Sequence, residues 1–262
     1  MLRLHAPAKI NLFLRVLARE ASGYHQLETL FAGLAFGDEL SVESTFSGIS
    51  LETTGLSLGP VEDNLAYKAA KAFLDEAGLG TGVSIQLEKR TPLGGGLGGG
   101  SSDAAAVLKA LNRLHPGRVT VARLLEMAGD LGSDVPFFLS PSSMALAWGR
   151  GDRFWPLSSL EPRPVVLVLS PFHVSTPDAF SQLAEARKRE GFRGRPAVMD
   201  PAAFSQWDTV SAMGHNDFED VVFERHPEAR EVLEGPCTRA EEGQVPAWYF
   251  TVGPSLRARA TA

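Results

Sequence analysis

A single cysteine, Cys237, stands in the 262 residues, which excludes an internal disulfide framework and a multi-cysteine metal cluster and fits a reducing compartment. Long apolar runs are missing as well. The longest, such as Val165 to Leu169, fall far short of the roughly eighteen residues that a membrane-spanning helix needs. Met1 to His5 lead to Lys9 and Arg15 before any apolar stretch develops, so neither a secretory signal nor a membrane anchor is expected. Positive charge is in deficit: a net charge of -6 and a pI near 5.6 exclude the broad basic surface of a general nucleic-acid binder. An anionic ligand must therefore be held locally. What remains, 44% apolar and 21% charged residues with a mean hydropathy of -0.03, is an ordinary cytoplasmic globular protein of one large or two ordinary domains.

Along the chain, Ile10, Leu12, Leu14 and Val16 alternate with Lys9, Asn11, Phe13 and Arg15, the pattern of a half-buried strand that puts Lys9 and Asn11 on one face. A second extended region runs from Gly23 through Leu27, Leu30 and Phe31 to Leu40 and Val42. Residues 64–77 are rich in helix formers, with Asp63 or Asn64 as the cap and Gly78 as the stop. Val83, Ile85 and Leu87 then alternate as a strand. After a glycine-rich loop, a helix is expected from Ser101, with Val107, Leu108, Leu111 and Leu114 as a one-sided apolar stripe, and another over Val121 to Ala128. The turn-rich stretch 142–164 is read as a boundary, placed near residue 160, followed by a buried-type strand at 165–169 and a basic run from Arg187 to Arg195. That run is read as a solvated face.

The loop Pro92-Leu93-Gly94-Gly95-Gly96-Leu97-Gly98-Gly99-Gly100-Ser101-Ser102 has six glycines among the seven residues from Gly94 to Gly100. Such a loop exposes backbone N–H groups and removes the Cβ atoms that would block a phosphate, and the positive end of the following helix dipole adds to the same point. Gly94, Gly96 and Gly99 also satisfy Gly-x-Gly-x-x-Gly, but residues 115–125 hold no acid to take the ribose of a dinucleotide. The loop likewise holds no lysine, as the P-loop of nucleoside triphosphatases requires. Its cation must come from another segment.

Pro92, Gly96, Leu97, Gly98, Gly100, Ser101, Ser102 and Ala104 fit every fixed position of Pro-x-x-x-Gly-Leu-Gly-x-Gly-Ser-Ser-x-Ala, and on these residues the chain resembles the GHMP kinase family. Ala6-Pro7-Ala8-Lys9-Ile10-Asn11-Leu12, Gly23-Tyr24-His25 and Leu131-Gly132-Ser133-Asp134-Val135-Pro136-Phe137-Phe138 resemble those members that phosphorylate a cytidine-diphosphate-linked methylerythritol in the non-mevalonate isoprenoid pathway. The resemblance covers about residues 1–235. It implies an α+β, two-domain GHMP kinase fold, with an ATP-binding domain over 1–160 and a C-terminal α/β sandwich of ferredoxin-like type over 161–262.

The resemblance also implies roles. Asp134 acts as the base on the substrate hydroxyl and Lys9 stabilises developing charge, while ATP, with Mg2+, sits on the loop, with Ser102 at a phosphate or the ion and with Asn64 and Lys89 toward the adenine. Asn11, Tyr24, His25 and Phe180 fall to the substrate, Tyr24 and Phe180 as rings on either side of the base and His25 at its edge. Metal ligands are not assigned. Each residue also has an ordinary reading: Lys9 an exposed strand lysine, Asp134 a cap for a helix starting near Pro136, Asn64 a cap, Lys89 a solvated strand end, Phe180 a core aromatic. Asn216-Asp217-Phe218-Glu219 resembles a family segment too, and capping chemistry suffices for it. The expected partner is a small molecule, with neither nucleic acid nor membrane, and the chain is expected as a monomer or weak homodimer.

From about residue 236 the tail departs from the family: the C-terminal Gly-Ser-Gly segment is absent, Thr251-Val252-Gly253-Pro254-Ser255 echoes it faintly, and no apolar period follows. A change of reading frame near residue 235 and a real divergence of the ending are the two accounts of this, and the coding DNA decides between them. Two alternatives stay open: another GHMP kinase acting on homoserine or mevalonate, and a catalytically silent binding protein of the same fold.

Overall fold

The structure is a computed structural model and describes residues 1–20, 23–56, 58–169, 176–190, 201–227 and 248–252. It divides into two compact units: Met1–Lys9, Gly33–Leu93 and Leu97–Pro141 form the first, and Ile10–Ala32, Gly94–Gly96 and Ser142–Ala262 the second. The long strands β1 (Leu2–Arg19) and β2 (His25–Thr45), which pair with each other, contribute residues to both. β1 was expected half-buried, but its residues from Ala8 through Phe13 are all buried. Its alternation separates two covered faces, and Lys9 at 5% and Asn11 at 4% exposure lie on the more polar of them.

In the first unit, β3 (Ile49–Gly55), α1 (Leu65–Ala77) and β4 (Gly82–Lys89) form a crossover, with β3 and β4 parallel in register from Ile49–Val83 to Gly55–Lys89. β4 pairs antiparallel on its other edge with β2, Leu40 facing Leu87 and Val42 facing Ile85. The expected caps of α1 are present: the Asn64 side chain accepts from the Ala66 N–H at 2.9 Å, and Gly78 takes the left-handed conformation at φ 59°.

α2 runs from Gly99 to Leu114, two residues earlier than the expected start at Ser101. Its apolar stripe is wider than one face, since every residue from Ser102 to Leu108 is buried. The alanines Ala104, Ala105 and Ala106 supply the extra contact surface, small enough to let neighbouring helices close in. α3 (Val121–Leu131) starts at Thr120, whose hydroxyl accepts from the Arg123 N–H, and α4 (Val135–Leu139) follows Asp134. α1, α2, α3 and α4 pack on one another within this unit.

In the second unit, β2 pairs antiparallel through Leu27–Ala32 with β5 (Met144–Gly149), and β5 with β6 (Arg153–Leu157). The stretch 142–164, read as a boundary for its turn residues, thus contains a hairpin: Gly149 and Gly151 take positive φ at its bend, and Pro156 sits in the strand β6. α5 (Thr176–Glu190), α6 (Trp207–Met213) and α7 (Glu219–Arg225) follow β7 (Val165–Leu169). Val16, Ala179, Leu183, Phe218, Val221 and Val222 form a core there.

Arg187 departs from the solvated-face reading, because its guanidinium donates to the Val16 carbonyl at 2.6 Å and to Asp217 at 2.7 Å. Asn216 was read as a cap, but the helix α7 starts from Phe218 with no side-chain cap; Asn216 instead accepts from the Phe218 N–H in the turn before it, and Asp217 joins Arg187 to the Val16 N–H. Arg195 and Cys237 lie outside the described residues. Among the described residues of the tail, which was read as lacking an apolar period, Trp248–Val252 form the strand β8, parallel to β7. Its five residues are strong strand formers, and a segment so short shows no period. Among the described residues, no helix is long and apolar enough to cross a membrane.

Candidate active site

The glycine loop alternates its backbone: Gly94, Gly96 and Gly98 take φ of 72°, 70° and 68°, which L side chains rarely adopt, and no non-glycine described residue has positive φ. Such alternation turns successive N–H groups toward one side and forms an anion-binding concavity. Gly94–Gly96 group with the second unit, and the loop's exit from Leu97 onward with the first. At that exit the Lys9 N–H donates to the Leu97 carbonyl at 2.9 Å, and Gly98 caps α2. A Cβ on Gly98 would lie 3.0 Å from the Phe138 ring and 3.1 Å from Lys9 Cγ, so the first turn of α2 can sit here only on a bare backbone.

Lys9 and Asp134 meet at this point, with Nζ 3.3 Å from Oδ2. The lysine side chain is 7% and the carboxylate 27% exposed, so the pair combines a buried cation with an accessible oxygen. Asp134 precedes α4 as the ordinary reading required, but its side chain makes no capping hydrogen bond. Lys9 is likewise no exposed strand lysine. The carboxylate is thus free of helix duty and directed to the lysine beside the loop. Ser101 lies on the same turn of α2 as Ser102, within reach of Gly132, where an added Cβ would be 4.0 Å from the Ser101 hydroxyl. The Ser102 hydroxyl is buried without a hydrogen-bond partner.

Asn64 caps α1, and Leu65 beside it approaches Gly100, where a Cβ would meet Leu65 at 3.7 Å. The starts of α1 and α2 are therefore neighbours. Lys89 is neither solvated nor a strand end in water: at 4% exposure its Nζ donates to Asp38 at 2.5 Å and to Asp103 at 2.7 Å. Asp38 also accepts from the Arg90 and Thr91 N–H groups at 2.6 and 2.7 Å. Burial pushes the Asp38 carboxyl up, but Lys89 and the two N–H donors outweigh it and hold it below the usual carboxylate range. Burial dominates at Asp103, offset only in part by Lys89 and reinforced by the nearby Asp38 charge, and raises its carboxyl to about 7.

Sequence reasoning missed Asp38 and Asp103, though one signal existed. Lys89 continues the inward alternation of Val83, Ile85 and Leu87, and Asp38 continues that of Leu40 and Val42, one step beyond the Glu39–Glu88 pair. A charged residue on each inward face at the same register predicts a pair.

The expected substrate residues lie in the second unit. Asn11 donates to the Thr29 hydroxyl at 2.7 Å, which in turn donates to the Phe13 carbonyl. His25 stacks on Phe180 at 4.6 Å between ring centroids and 15° between planes, and Phe180 meets Phe218 edge-on at 4.8 Å. Phe180 therefore belongs to the core around Leu183 and also presents a ring face to His25. Burial first, then the Arg19 and Arg187 charges, lower the His25 pKa. Tyr24 is 60% exposed, and one face of its ring is covered by the Arg150 guanidinium at 4.2 Å, itself paired to Glu20. Arg150 gave no signal in the sequence, because it approaches from the β5–β6 turn.

Residues 64–141 match the GHMP kinases N terminal domain. The 4-diphosphocytidyl-2-C-methyl-D-erythritol kinase of Methylacidiphilum infernorum (isolate V4) is 43% identical over 223 residues, 84% of this chain and 74% of that protein. The chain belongs to the 4-diphosphocytidyl-2-C-methyl-D-erythritol kinase family. Another member, from Chlorobium luteolum, is 40% identical over 236 residues, covering 87% of this chain and 79% of its own length. A crystal structure of a 4-(cytidine 5'-diphospho)-2C-methyl-D-erythritol kinase superposes with a TM-score of 0.76 at 37% identity, covering 100% of this chain and 90% of that one. A mevalonate kinase at 12% identity and a TM-score of 0.53 shares the fold. The α+β GHMP kinase fold and the kinase family expected from the loop and the Lys9 and Asp134 segments are thus established.

Proposed function

We propose that the chain transfers the terminal phosphoryl group of ATP to the 2-hydroxyl of 4-diphosphocytidyl-2-C-methyl-D-erythritol, a step of the non-mevalonate route to isoprenoid precursors. The observation that carries this reading is the Lys9–Asp134 pair, 3.3 Å apart beside the first turn of α2, with the carboxylate unused as a cap. In the proposed reaction Asp134 takes the proton of the acceptor hydroxyl as its oxygen attacks phosphorus, and Lys9 offsets the negative charge that gathers on the transferring group. The loop from Pro92 to Ser102 holds the ATP phosphates through backbone N–H groups and the start of α2. Asn64 lies toward the adenine, and Ser102, with its unpartnered hydroxyl, fits a phosphate oxygen or the accompanying Mg2+. When bound, that ion neutralises phosphate charge.

Tyr24, His25, Phe180 and Asn11 are assigned to the cytidylyl end. A neutral His25 ring, favoured by its lowered pKa, offers a donor and an acceptor to the edge of the base. The same proposal divides the chain near residue 160 into an ATP-binding part and a ferredoxin-like C-terminal part, acting in the cytoplasm as a monomer or weak homodimer.

The test is ADP release, followed with the cytidylyl substrate, mevalonate and homoserine in turn. Turnover with the first alone is expected, and Asp134→Asn should lower kcat by about 10²- to 10⁴-fold, the usual weight of a general base, while ATP still binds. Turnover with mevalonate in its place, near-normal turnover in the variant, or ATP binding without any ADP release would each overturn the assignment, the last in favour of a silent nucleotide-binding protein.

A further inference from the structure

The strongest structure outside the Lys9–Asp134 pair is the buried Asp38–Lys89–Asp103 cluster, which joins three separate segments. Asp38 lies on β2 with 0% exposure, Lys89 ends β4, and Asp103 stands in the second turn of α2 with 1% exposure. The glycine loop leaves β4 at Arg90 and Thr91 and enters α2 at Gly99. Asp38 holds the departure, through the Arg90 and Thr91 N–H groups at 2.6 and 2.7 Å, and it holds Lys89 at 2.5 Å. Lys89 in turn holds Asp103 at 2.7 Å, and a Cβ placed on Gly99 would lie 2.8 Å from Lys89 Nζ and 2.8 Å from Thr91 Cγ2. The cluster therefore lies directly beneath the first turn of α2 and ties both ends of the loop to one carboxylate.

We propose that Asp38 is a positioning residue for the nucleotide: through Lys89 and Asp103 it clamps both ends of the glycine loop, so that the loop's N–H groups are set at phosphate-binding geometry before ATP arrives. The inference rests on the reading that this loop binds ATP. A bare loop of six glycines would otherwise lose much conformational freedom on binding, which would be subtracted from affinity, and a buried charge clamp removes that cost in the folding step. The arrangement assigns Lys89 to the clamp, in place of the adenine contact that the family resemblance implies. It also makes the two carboxylates unequal. Asp38 accepts from three donors along one stretch, Lys89 to Thr91, whereas Asp103 accepts from Lys89 through one oxygen and leaves the other, Oδ1, buried without a partner. A neutral Asn at 103 can still accept from Lys89; at 38, an Asn leaves the lysine without its principal counter-charge.

The experiment titrates ATP into the wild-type chain, Asp38→Asn and Asp103→Asn, and then measures KM for both substrates. Asp38→Asn is expected to weaken ATP binding and raise the ATP KM by about tenfold or more, the scale of a displaced reacting group, with the cytidylyl-substrate KM unchanged. Asp103→Asn, which keeps an acceptor for Lys89, is expected to weaken ATP binding by less than Asp38→Asn does. A fall in kcat at constant ATP KM in Asp38→Asn, as a mere loss of folded protein would give, overturns the proposal, as does equal loss in both variants. Amide hydrogen exchange on the wild-type chain supplies an arm that needs no variant to fold. The Arg90 and Thr91 amides should exchange slowly before ATP is added, and fast exchange that only ATP slows overturns the clamp. If the wild-type chain binds no ATP, the nucleotide reading of the loop fails, and the exchange arm still decides whether the clamp exists.

Discussion

Replacing Asp103 by Asn should make the protein more stable at high pH relative to low pH, against the common expectation that removing a buried ion-pair partner only harms. The Asp103 carboxyl is raised from 3.8 to about 7, chiefly by burial that Lys89 does not fully offset. At 1.36 kcal/mol per tenfold change in proton affinity, holding it ionised in the folded state costs about 4 kcal/mol relative to the unfolded chain. The sign follows from the raised value. Below the unfolded-state pKa, near 3.9, the group is protonated in both states and costs nothing; between there and about 7 the unfolded state releases its proton first, and folding stability falls as pH rises. Asn is neutral throughout and keeps an acceptor for Lys89. Urea unfolding of wild type and Asp103→Asn from pH 4 to pH 8.5 should therefore show the stability difference moving in the variant's favour by up to about 4 kcal/mol, with the change complete just above pH 7. Titrating groups outside the Asp38–Lys89–Asp103 cluster shift both curves alike and cancel in the difference. Two parallel curves would refute the reasoning, because they would mean that Asp103 stays ionised at no cost beside Lys89.

Two other outcomes follow from the geometry. Gly99→Ala should lower ATP affinity at least tenfold and cost about 1–3 kcal/mol by overpacking, since its Cβ would press to 2.8 Å from both Lys89 Nζ and Thr91 Cγ2; ATP titration and thermal melting check the two parts, and wild-type affinity sinks the close-packed loop. At Asp217, burial pushes the carboxyl up but His215, the Val16 N–H and Arg187 hold it below the usual range, so its stabilisation is present above the unfolded pKa and lost as pH falls through the folded one. Asp217→Asn should destabilise by about 2 kcal/mol at pH 7, with the deficit shrinking below about pH 4; a deficit constant with pH would mean that charge plays no part.

Much of this was legible in the chain itself, because the relevant physics is local. A loop of six glycines between an alternating strand and a capped helix can do little except expose N–H groups, and the structure gives Gly94, Gly96 and Gly98 the left-handed backbone that only glycine takes cheaply. The caps of α1 at Asn64 and Gly78 were readable for the same reason. Less legible were properties set by what lies against an element. Strand β1 shows alternation whether one face or both are covered, so its burial from Ala8 to Phe13 could not be read from its period. The hairpin in 142–164 was hidden by glycines and a proline that serve equally in a bend, an edge strand or a linker.

By itself, then, the sequence determined the loop's glycine-built, left-handed backbone, the kinase family and the α+β fold, since each depends on residue type at fixed short spacing. Only the tertiary structure decided the partners of the charged groups. Asp134, equally suited to cap α4, turns to Lys9 instead; Lys89, read as solvated, is buried between Asp38 and Asp103; Tyr24 receives Arg150 on its ring. The physical reason is common to all three. A charge or ring taken out of water must be met by a specific partner, and that partner is chosen by which distant segments the fold brings within a few ångströms, a quantity no local pattern carries.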